Sequence, residues 1–580
     1  MKALILNSGT GSRMGAITPC KCLVEVDAGV TILDAQIEAL LNCGINDLYI
    51  TTGHNADVLK SYIGEHYPEN QITLIYNPLF DQTNYIYSIH LARSHVDDDD
   101  ILLLHGDLIF EQNVLHDLLA ADKSVMVIDT TQPLPEKDFK AVVNNGRVKS
   151  VSVNLLTDSV YAQPMYKLLQ HDWNLWLGEI EKFCSTGNIN VYAENALNEI
   201  STSLMLYPLD IKGRKCFEID NPEDLAYGVE AYQQMPDRLQ TTCFRYSSFD
   251  KIHEFLCKNS VIKPLIIYDN NLTYLINKLV FNKVTFNSFT PNPDISDVEK
   301  AIALFEKEQC DFIISIGGGS AIDVAKGVKM LDFSDSGSAG RLRDTPRAAS
   351  LAIPTTAGTG SEATCFTVLY KDGEKLSIEH SRFLPEYVIL DASFLTTLPE
   401  YHKKSAMLDA LCQAIESLWA KGKTKESRIY AQNAIDIIYK NADGYINNEP
   451  GYAQRMLQAA NLAGKAINIG KTTAAHAMSY KLTDHFGIAH GHAVAMCLGP
   501  VWAHLIESNH PLEDLTEDDY RKFAKLYDSF NLNYMIKINT NTKIFDELIL
   551  SINKQRLNNH PVKISEEQLK SMYEEILSLL

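Results

Sequence analysis

Short apolar runs alternate with helix-length amphipathic stretches over the first 230 residues. Residues 3–6 form a continuous apolar run, which is typical of a buried strand. Residues 32–43 have helical spacing and end at Gly44, whereas residues 48–52 and 73–76 predict two further strands. Because strands alternate with helices, we expect a mostly parallel sheet with helices on both faces.

The pattern changes near residue 240. Residues 228–235 predict a last helix, which Pro236 prevents from continuing into the polar stretch that follows. Strands are predicted again at 264–268, 284–289 and 312–316, and the chain reads as helical after Asp391. The sequence therefore predicts three domains at residues 1–235, 241–390 and 391–580, of which the last is all-helical.

The first apolar run leads into a glycine loop with two cations. Gly9 and Gly11 allow the backbone to approach a ligand closely, and their N–H groups can surround phosphate oxygens. Arg13 and Lys21 add positive charge. A dinucleotide fingerprint would need a third glycine where Met14 stands, and the Gly-Lys-Ser/Thr of a P-loop is absent. The loop therefore predicts a polyphosphate site of another kind, with an ordinary turn as the alternative.

Two aspartates are candidates for a magnesium site. Asp107 follows the apolar run 101–105, and Asp220 lies in the segment Cys-Phe-Glu-Ile-Asp-Asn-Pro. Ligands of such sheets lie beyond the carboxyl ends of the strands, where carboxylates can hold Mg²⁺. Either aspartate alone is more often a cap or a turn residue.

A second glycine motif stands in the middle of the chain. The apolar run 312–316 meets Gly317, Gly318 and Gly319, and Ser320 and Asp323 follow at the start of a predicted helix. This geometry places a pyrophosphate on helix N-terminal amides. A loop rich in hydroxyl groups and glycine comes thirty-odd residues later and contains Thr355, Thr356 and Thr359.

The helical part carries candidate metal ligands. Asp409 and Gln413 are four residues apart in a helical pattern and therefore share a face. His476 and His490 stand in two further helical segments. Helix histidines with satisfied hydrogen bonds are the alternative interpretation.

Composition narrows the class of protein. The 580 residues carry a net charge of −21, which argues against nucleic-acid and anionic-membrane partners. No apolar stretch approaches the ~20 residues of a membrane span. The 11 cysteines are scattered without a disulfide framework, so we expect a cytoplasmic protein.

Residues 1–230 resemble the sugar-nucleotide and phosphocholine-type nucleotidyltransferases. The resemblance rests on Leu-x-x-Gly-x-Gly-Ser-Arg-Met and the following Lys-Cys-Leu-Val, although the proline before Lys21 comes one residue early. Thr-Gly-His at 52–54 and the segment that begins at Asn84 resemble the CTP-using branch. The resemblance implies CTP bound by Gly9, Gly11 and Asn84. It also implies charge stabilisation by Arg13 and Lys21, and Mg²⁺ held by two aspartates, Asp107 and Asp220.

The second half resembles the iron-dependent alcohol dehydrogenases. The motifs at 317–323 and 355–359 stand where that family binds the pyrophosphate and nicotinamide ends of NAD(P). Asp269 stands where the family often has a residue that meets the adenosine ribose, and an acid there favours NADH because it repels the 2′-phosphate of NADPH. The family holds Fe²⁺, Zn²⁺ or a similar metal with one Asp and three His. Here the implied ligands are Asp409, Gln413, His476 and His490, and Gln413 departs from the family's histidine.

The two resemblances together imply two folds and two enzymatic activities on one chain. The expected fold is a Rossmann-like mixed sheet of the nucleotidyltransferase type, then an α/β NAD(P)-binding domain and an all-α metal domain. One substrate suits both halves: phosphonoacetaldehyde would be reduced to 2-hydroxyethylphosphonate and then joined to CMP. A polyol phosphate or phosphocholine could instead be the acceptor, or the second half could be a non-catalytic nucleotide-binding module. Homodimers are common in both families.

Overall fold

The structure is a computed structural model that describes residues 1–9, 11, 14, 20–27, 29–67, 72–154, 157–235, 240–333, 340–371, 374–532 and 544–578. The chain divides into an N-terminal unit, Met1–Arg238, and a C-terminal unit, Leu239–Leu580. None of the described helices has both the length and the hydropathy that a membrane span requires.

The N-terminal unit alternates strands and helices. Its strands are β1 (Lys2–Asn7), β2 (Glu25–Asp27), β3 (Val30–Thr31), β4 (Leu48–Thr52), β5 (Ile72–Tyr76), β6 (Ile101–His105), β7 (Leu108–Phe110), β8 (Val125–Asp129), β9 (Lys140–Asn144), β10 (Arg147–Ser152), β11 (Val160–Leu168), β12 (Tyr207–Asp210) and β13 (Cys216–Glu218). Its helices are α1 (Ile32–Asn42), α2 (Ala56–His66), α3 (Tyr85–Val96), α4 (Gln112–Leu119), α5 (Gln170–Ser185), α6 (Ala193–Glu199) and α7 (Pro222–Gln233).

A mixed sheet forms the centre of the N-terminal unit. Within the described residues it has nine strands in the order β10-β9-β11-β6-β1-β4-β5, with β8 beside β11 and β12 beside β8. Strand β1 lies parallel to both β4 and β6, whereas β11 runs antiparallel to β6. Because β1 and β6 are parallel neighbours, the loops that follow them leave the sheet at the same edge.

The helix predicted at 228–235 begins earlier than the sequence pattern indicated. In the structure α7 starts at Pro222. Asn221 accepts hydrogen bonds from the backbone N–H groups of Glu223 and Asp224, and the Asp224 side chain accepts in return from the Asn221 backbone. This capping box and a proline at the first turn fix the start of the helix, and they outweigh the weak apolar periodicity of its first half.

The C-terminal unit begins with strands and ends in helices. Its strands are β14 (Thr241–Thr242), β15 (Pro264–Tyr268), β16 (Val284–Phe286), β17 (Phe312–Gly317), β18 (Leu331–Asp332), β19 (Arg341–Leu342), β20 (Ser350–Pro354), β21 (Phe366–Lys371), β22 (Glu374–Glu379) and β23 (Tyr387–Val388). Its helices are α8 (Ile252–Lys258), α9 (Thr273–Lys278), α10 (Ile295–Lys307), α11 (Gly319–Met330), α12 (Glu400–Trp419), α13 (Lys425–Ile446), α14 (Tyr452–Gly470), α15 (Ala474–Phe486), α16 (His490–Glu507), α17 (Glu517–Phe530), α18 (Ile544–Leu550), α19 (Lys554–Asn559) and α20 (Glu566–Ser578).

A parallel sheet forms the first part of this unit. As far as the chain is described, its six strands follow the order β14-β23-β20-β17-β15-β16, and every pair is parallel. Alternate residues of β15 enter two separate apolar cores: Leu265 and Ile267 pack with α10 and α11, and Ile266 and Tyr268 pack with α8. A sheet covered on both faces explains why its strands read as continuous apolar runs.

Candidate active sites

The N-terminal unit contains a cavity of about 470 Å³ at the carboxyl ends of β1 and β6. The predicted residues that line it are Gly9, Gly11, Lys21, Asn84, Asp107 and Asp220. Arg13 was predicted to join them and lies outside the described residues. The structure therefore gathers into one cavity the described residues that the sequence predicted for this site.

Lys21 lies between the two predicted metal ligands. Its ammonium donates to Asp107 Oδ2 and to Asp220 Oδ1, each at 2.5 Å. Burial lowers the pKa of Lys21, but the two carboxylates outweigh burial, so the pKa is raised and the side chain is charged. The pairing of β13 with β7 brings Asp220 to Asp107, and the Ile219 N–H donates to the Asp107 carbonyl at 2.9 Å.

The aspartates fit a magnesium ion. Asp107 Oδ1 is buried and, among the described residues, has no hydrogen-bond partner. A buried carboxylate oxygen without a donor is a natural ligand for a hard cation. A Cβ on Gly9 would meet no atom of the described residues within 4 Å, whereas Gly11 adopts φ +62° and its Cβ position lies 3.2 Å from Lys21 Cβ.

An aromatic wall lines the same cavity; the resemblance covered its Tyr85 and Tyr192 segments, whereas Phe139 and His105 were not predicted. The Tyr85 ring lies 4.7 Å from His105 and 5.9 Å from Tyr192, and Phe139 lies 5.3 Å from Tyr192, all between ring centroids. His105 Nδ1 contacts Glu218 Oε1 at 3.1 Å. Burial and the Asp107 charge raise the pKa of Glu218 to about 7.

A signal for part of this wall was present in the sequence. His105 and Glu218 each stand two residues before a predicted aspartate, and residues i and i+2 of an extended chain point to the same side. Glu194 accepts from the Tyr166 hydroxyl at 2.8 Å and from the Tyr85 hydroxyl. Single-residue patterns do not reveal these contacts, because Tyr85, Tyr166 and Glu194 are far apart in the chain.

In the C-terminal unit, Gly317, Gly318 and Gly319 join β17 to α11. The Gly318 N–H donates to Asp269 Oδ2 at 2.8 Å, and a Cβ on Gly317 would lie 2.6 Å from the same oxygen. Burial raises the pKa of Asp269, although the Gly318 amide opposes this. The predicted ribose ligand therefore also holds the glycine turn in place.

The hydroxyl-rich loop packs against this turn. The Thr355 N–H donates to the Gly317 carbonyl at 3.1 Å. The Cβ position of Gly318 lies 3.8 Å from the Thr356 methyl group, and that of Gly319 lies 3.3 Å from the Thr359 methyl group. The two motifs that the sequence predicted to bind one cofactor are thus neighbours.

Ser320 and Asp323 lie in the first turns of α11. The Asn292 N–H approaches Ser320 Oγ at 3.4 Å. Asp323 accepts from the Ser361 hydroxyl at 2.9 Å, and burial raises its pKa to about 6. The Lys326 ammonium donates to Ser361 and Thr364. Asp323 is thus buried in a network that fixes the start of the second loop.

The predicted metal ligands meet in the helical part. The ligand atoms of Asp409, His476 and His490 lie within 4.8 Å of one another. Gln413 lies one turn along α12, where its amide N–H₂ donates to the Thr359 carbonyl at 3.2 Å. Gln413 Oε1 is buried and finds no donor in the part of the chain that the structure describes. One carboxylate, two imidazoles and this orphaned oxygen fit a divalent metal.

Glu416 orients His476, a role that the sequence analysis missed. Glu416 is fully buried, contacts His476 Nδ1 and accepts from the backbone N–H groups of Thr473 and Ala475 at 3.1 and 2.9 Å. His476 Nε2 is thereby left facing Asp409, 3.3 Å away. Helical spacing contains this signal, since Asp409, Gln413 and Glu416 follow i, i+4, i+7 on one face.

Family comparisons match both units. The MobA-like NTP transferase domain matches residues 3–260. The iron-containing alcohol dehydrogenase family matches residues 240–392, and the C-terminal part of the Fe-containing alcohol dehydrogenase family matches residues 404–574. These matches confirm both predicted resemblances and the predicted fold class.

Two curated relatives of the chain carry dehydrogenase or reductase names. A phosphonoacetaldehyde reductase of Streptomyces viridochromogenes is 36% identical over 217 residues, which are 35% of this chain and 54% of that protein. A probable alcohol dehydrogenase EutG of Escherichia coli is 35% identical over 218 residues, which are 36% of this chain and 55% of that protein. The chain thus spans about half the length of the curated relatives it matches.

A solved structure shares the fold of the C-terminal unit. The sulfoacetaldehyde reductase of Bifidobacterium kashiwanohense, in complex with NAD+, is 25% identical with a TM-score of 0.51 and covers 57% of this chain and 94% of its own.

Proposed function

We propose that this chain, which joins a MobA-like NTP transferase domain to the two domains of an iron-containing alcohol dehydrogenase, catalyses two consecutive reactions. The C-terminal unit reduces phosphonoacetaldehyde to 2-hydroxyethylphosphonate with NAD(P)H. The N-terminal unit then transfers CMP from CTP to that product and releases pyrophosphate. The observation that carries the proposal is the fusion itself, because a reductase similar to a phosphonoacetaldehyde reductase would produce an acceptor suited to a nucleotidyltransferase.

In the reductase site, the chain's residues position the cofactor and the aldehyde. Gly319 and the first turn of α11 would present amides to the pyrophosphate, and the loop from Thr355 to Thr359 faces them. A divalent metal held by Asp409, Gln413, His476 and His490 would polarise the carbonyl, and NAD(P)H would supply the hydride. The hydride adds to the carbonyl carbon, and the resulting alkoxide takes a proton from water.

In the transferase site, an oxygen of the phosphonate attacks the α-phosphorus of CTP and pyrophosphate leaves. Lys21 supplies positive charge where the transferred phosphoryl group gains negative charge, and its two carboxylate contacts hold the ammonium in position. Mg²⁺ on Asp107 and Asp220 would orient the reactants and neutralise their charge. The choice of CTP rests on the resemblance of residues 52–54 and of the segment at Asn84.

The aromatic wall favours a second candidate for the acceptor. Rings of Tyr85, Phe139 and Tyr192 with Glu218 close by form a surface that suits an alkylammonium group. The acceptor would then be phosphocholine or a related ammonium compound, and the two units would act on different substrates.

A coupled assay on the whole protein separates these candidates. Phosphonoacetaldehyde, NADH, CTP and Mg²⁺ are supplied together, and NADH loss and pyrophosphate release are followed in parallel. Pyrophosphate release that requires NADH consumption supports consecutive reactions. Release with phosphocholine but not with 2-hydroxyethylphosphonate supports the second candidate. Absence of NADH oxidation with metal-loaded protein would contradict the reductase proposal.

A further inference from the structure

An ammonium group lies beside the proposed metal ligands. Lys375 stands on β22, and its Nζ lies 3.3 Å from the centroid of the Tyr480 ring. Tyr480 in turn stacks on the His490 imidazole, with 5.8 Å between ring centroids and 8° between planes. Lys375 is therefore only one aromatic ring away from a side chain that faces the metal position.

A guanidinium group accompanies it. Arg556 on α19 donates to Thr472 Oγ1, and its guanidinium lies 5.8 Å from the Phe366 ring centroid. Burial lowers the pKa of His490 to about 4, and the charges of Lys375 and Arg556 add to this effect. Both positive charges therefore oppose protonation of the His490 imidazole.

Lys375 has little counter-charge of its own. Burial lowers its pKa to about 7, and the Arg556 charge adds to this, whereas Asp484, Asp323 and Asp409 oppose it from a distance. Among the described residues, no carboxylate lies within ion-pair distance of Lys375. A half-buried cation without a carboxylate partner is unfavourable unless a ligand provides the missing anion.

The position of Lys375 and Arg556 indicates which anionic group would bind to them. The cofactor's pyrophosphate would lie at the start of α11 and its ribose near Asp269, at the carboxyl end of the sheet. Lys375 instead lies one aromatic ring away from His490, next to the metal ligands where the carbonyl would lie. An anionic group at that place belongs to the aldehyde substrate.

We propose that Lys375 and Arg556 form a subsite that binds the tetrahedral oxyanion of a short anionic aldehyde, such as the phosphonate of phosphonoacetaldehyde. This inference rests on the proposed reductase function and adds the residues that select its substrate. One methylene separates phosphonate from carbonyl in that aldehyde, so both ends of the molecule can be held at once. A sulfonate has the same tetrahedral shape with less charge.

The test compares an anionic with a neutral aldehyde on the metal-loaded full-length protein. Lys375→Met should lower the ratio of kcat/KM for phosphonoacetaldehyde to that for propanal by about tenfold to a hundredfold, as expected for one lost charge-assisted contact. Lys375→Arg should keep this ratio of kcat/KM values close to that of the wild type. Lys471→Met is the matched control, because Lys471 is already paired with Glu379 at 2.6 Å, and its ratio should stay that of the wild type.

Inhibition provides a second measurement that does not depend on turnover of propanal. Phosphonoacetate should compete with the aldehyde in the wild type. Its inhibition constant should rise about tenfold or more in Lys375→Met and Arg556→Gln. Weaker inhibition by sulfoacetate than by phosphonoacetate identifies phosphonate as the preferred anion, and the reverse order identifies sulfonate. NADH binding, followed by fluorescence, reports whether each variant is folded.

The outcomes distinguish this inference from the proposed function. If the wild type reduces phosphonoacetaldehyde but Lys375→Met changes kcat/KM for both aldehydes, and the inhibition constants of both inhibitors, by the same factor, the subsite is wrong and the function stands. If the wild type reduces propanal but not phosphonoacetaldehyde, the substrate class and the subsite are both wrong.

Discussion

Replacing Glu416 with glutamine should abolish metal binding by His476 while leaving the fold intact. Glu416 Oε1 accepts from the N–H groups of Thr473 and Ala475, and Oε2 contacts His476 Nδ1. The amide oxygen of a glutamine must face the two backbone donors, because an N–H₂ group there would meet other N–H groups. The N–H₂ then donates to His476 Nδ1, and the imidazole proton moves to Nε2.

The expected loss of metal affinity follows from this change in the tautomer of His476. A protonated Nε2 has no lone pair for a metal, so the site loses one imidazole ligand although the ring stays in place. Residues that support a metal ligand contribute about 10- to 100-fold in affinity, and we expect the upper end here, about 2.8 kcal/mol.

Metal titration of chelator-treated protein with Zn²⁺ and a competing chromogenic chelator measures this affinity directly. His476→Ala serves as the reference for a lost ligand, and Glu379→Gln, on an exposed part of the same unit, serves as the matched control. Unchanged far-UV circular dichroism shows that the variant is folded. An affinity for Glu416→Gln within about threefold of the wild type would refute the tautomer argument, since even a modest supporting role is worth more than that.

Three further predictions follow from the two sites. Asp107→Asn should slow pyrophosphate release by about 100-fold or more, with aldehyde reduction as an internal control. Gly317→Ala should lower the free energy of unfolding in denaturant by about 1–3 kcal/mol, because its Cβ would lie 2.6 Å from Asp269 Oδ2. The kcat/KM for phosphonoacetaldehyde should fall as pH rises through about 7, where Lys375 loses its proton in the free enzyme; Lys375→Arg should shift this limb to higher pH.

Local patterns were sufficient for the residues that stand on one element or at the end of one strand. The spacing of Asp409 and Gln413 places both on one face of α12, and the strand bounds Leu48–Thr52 agree with the apolar run that predicted them. The predicted strand at 284–289 ends at Phe286, however. Apolar content alone does not show where backbone pairing with β15 stops.

Residues that act through long-range packing could not be found in this way. Lys375 lies in a hairpin without a motif, and only the approach of α15 brings Tyr480 beneath its ammonium. The aromatic wall likewise joins Tyr85, Phe139 and Tyr192 from separate elements. Such contacts depend on tertiary packing, which overrides what any single segment prefers.

Gln413 shows how the structure resolves a departure that the sequence left ambiguous. An amide can offer a metal either its oxygen or its N–H₂ group, and only the oxygen is a ligand. The Thr359 carbonyl, 54 residues earlier in the chain, accepts the N–H₂ group, and Oε1 is buried without a donor among the described residues. The hydroxyl-rich loop thereby orients a metal-site side chain as well as facing the glycine turn. A glutamine here is compatible with a metal site because the neighbouring loop fixes which of its atoms is offered.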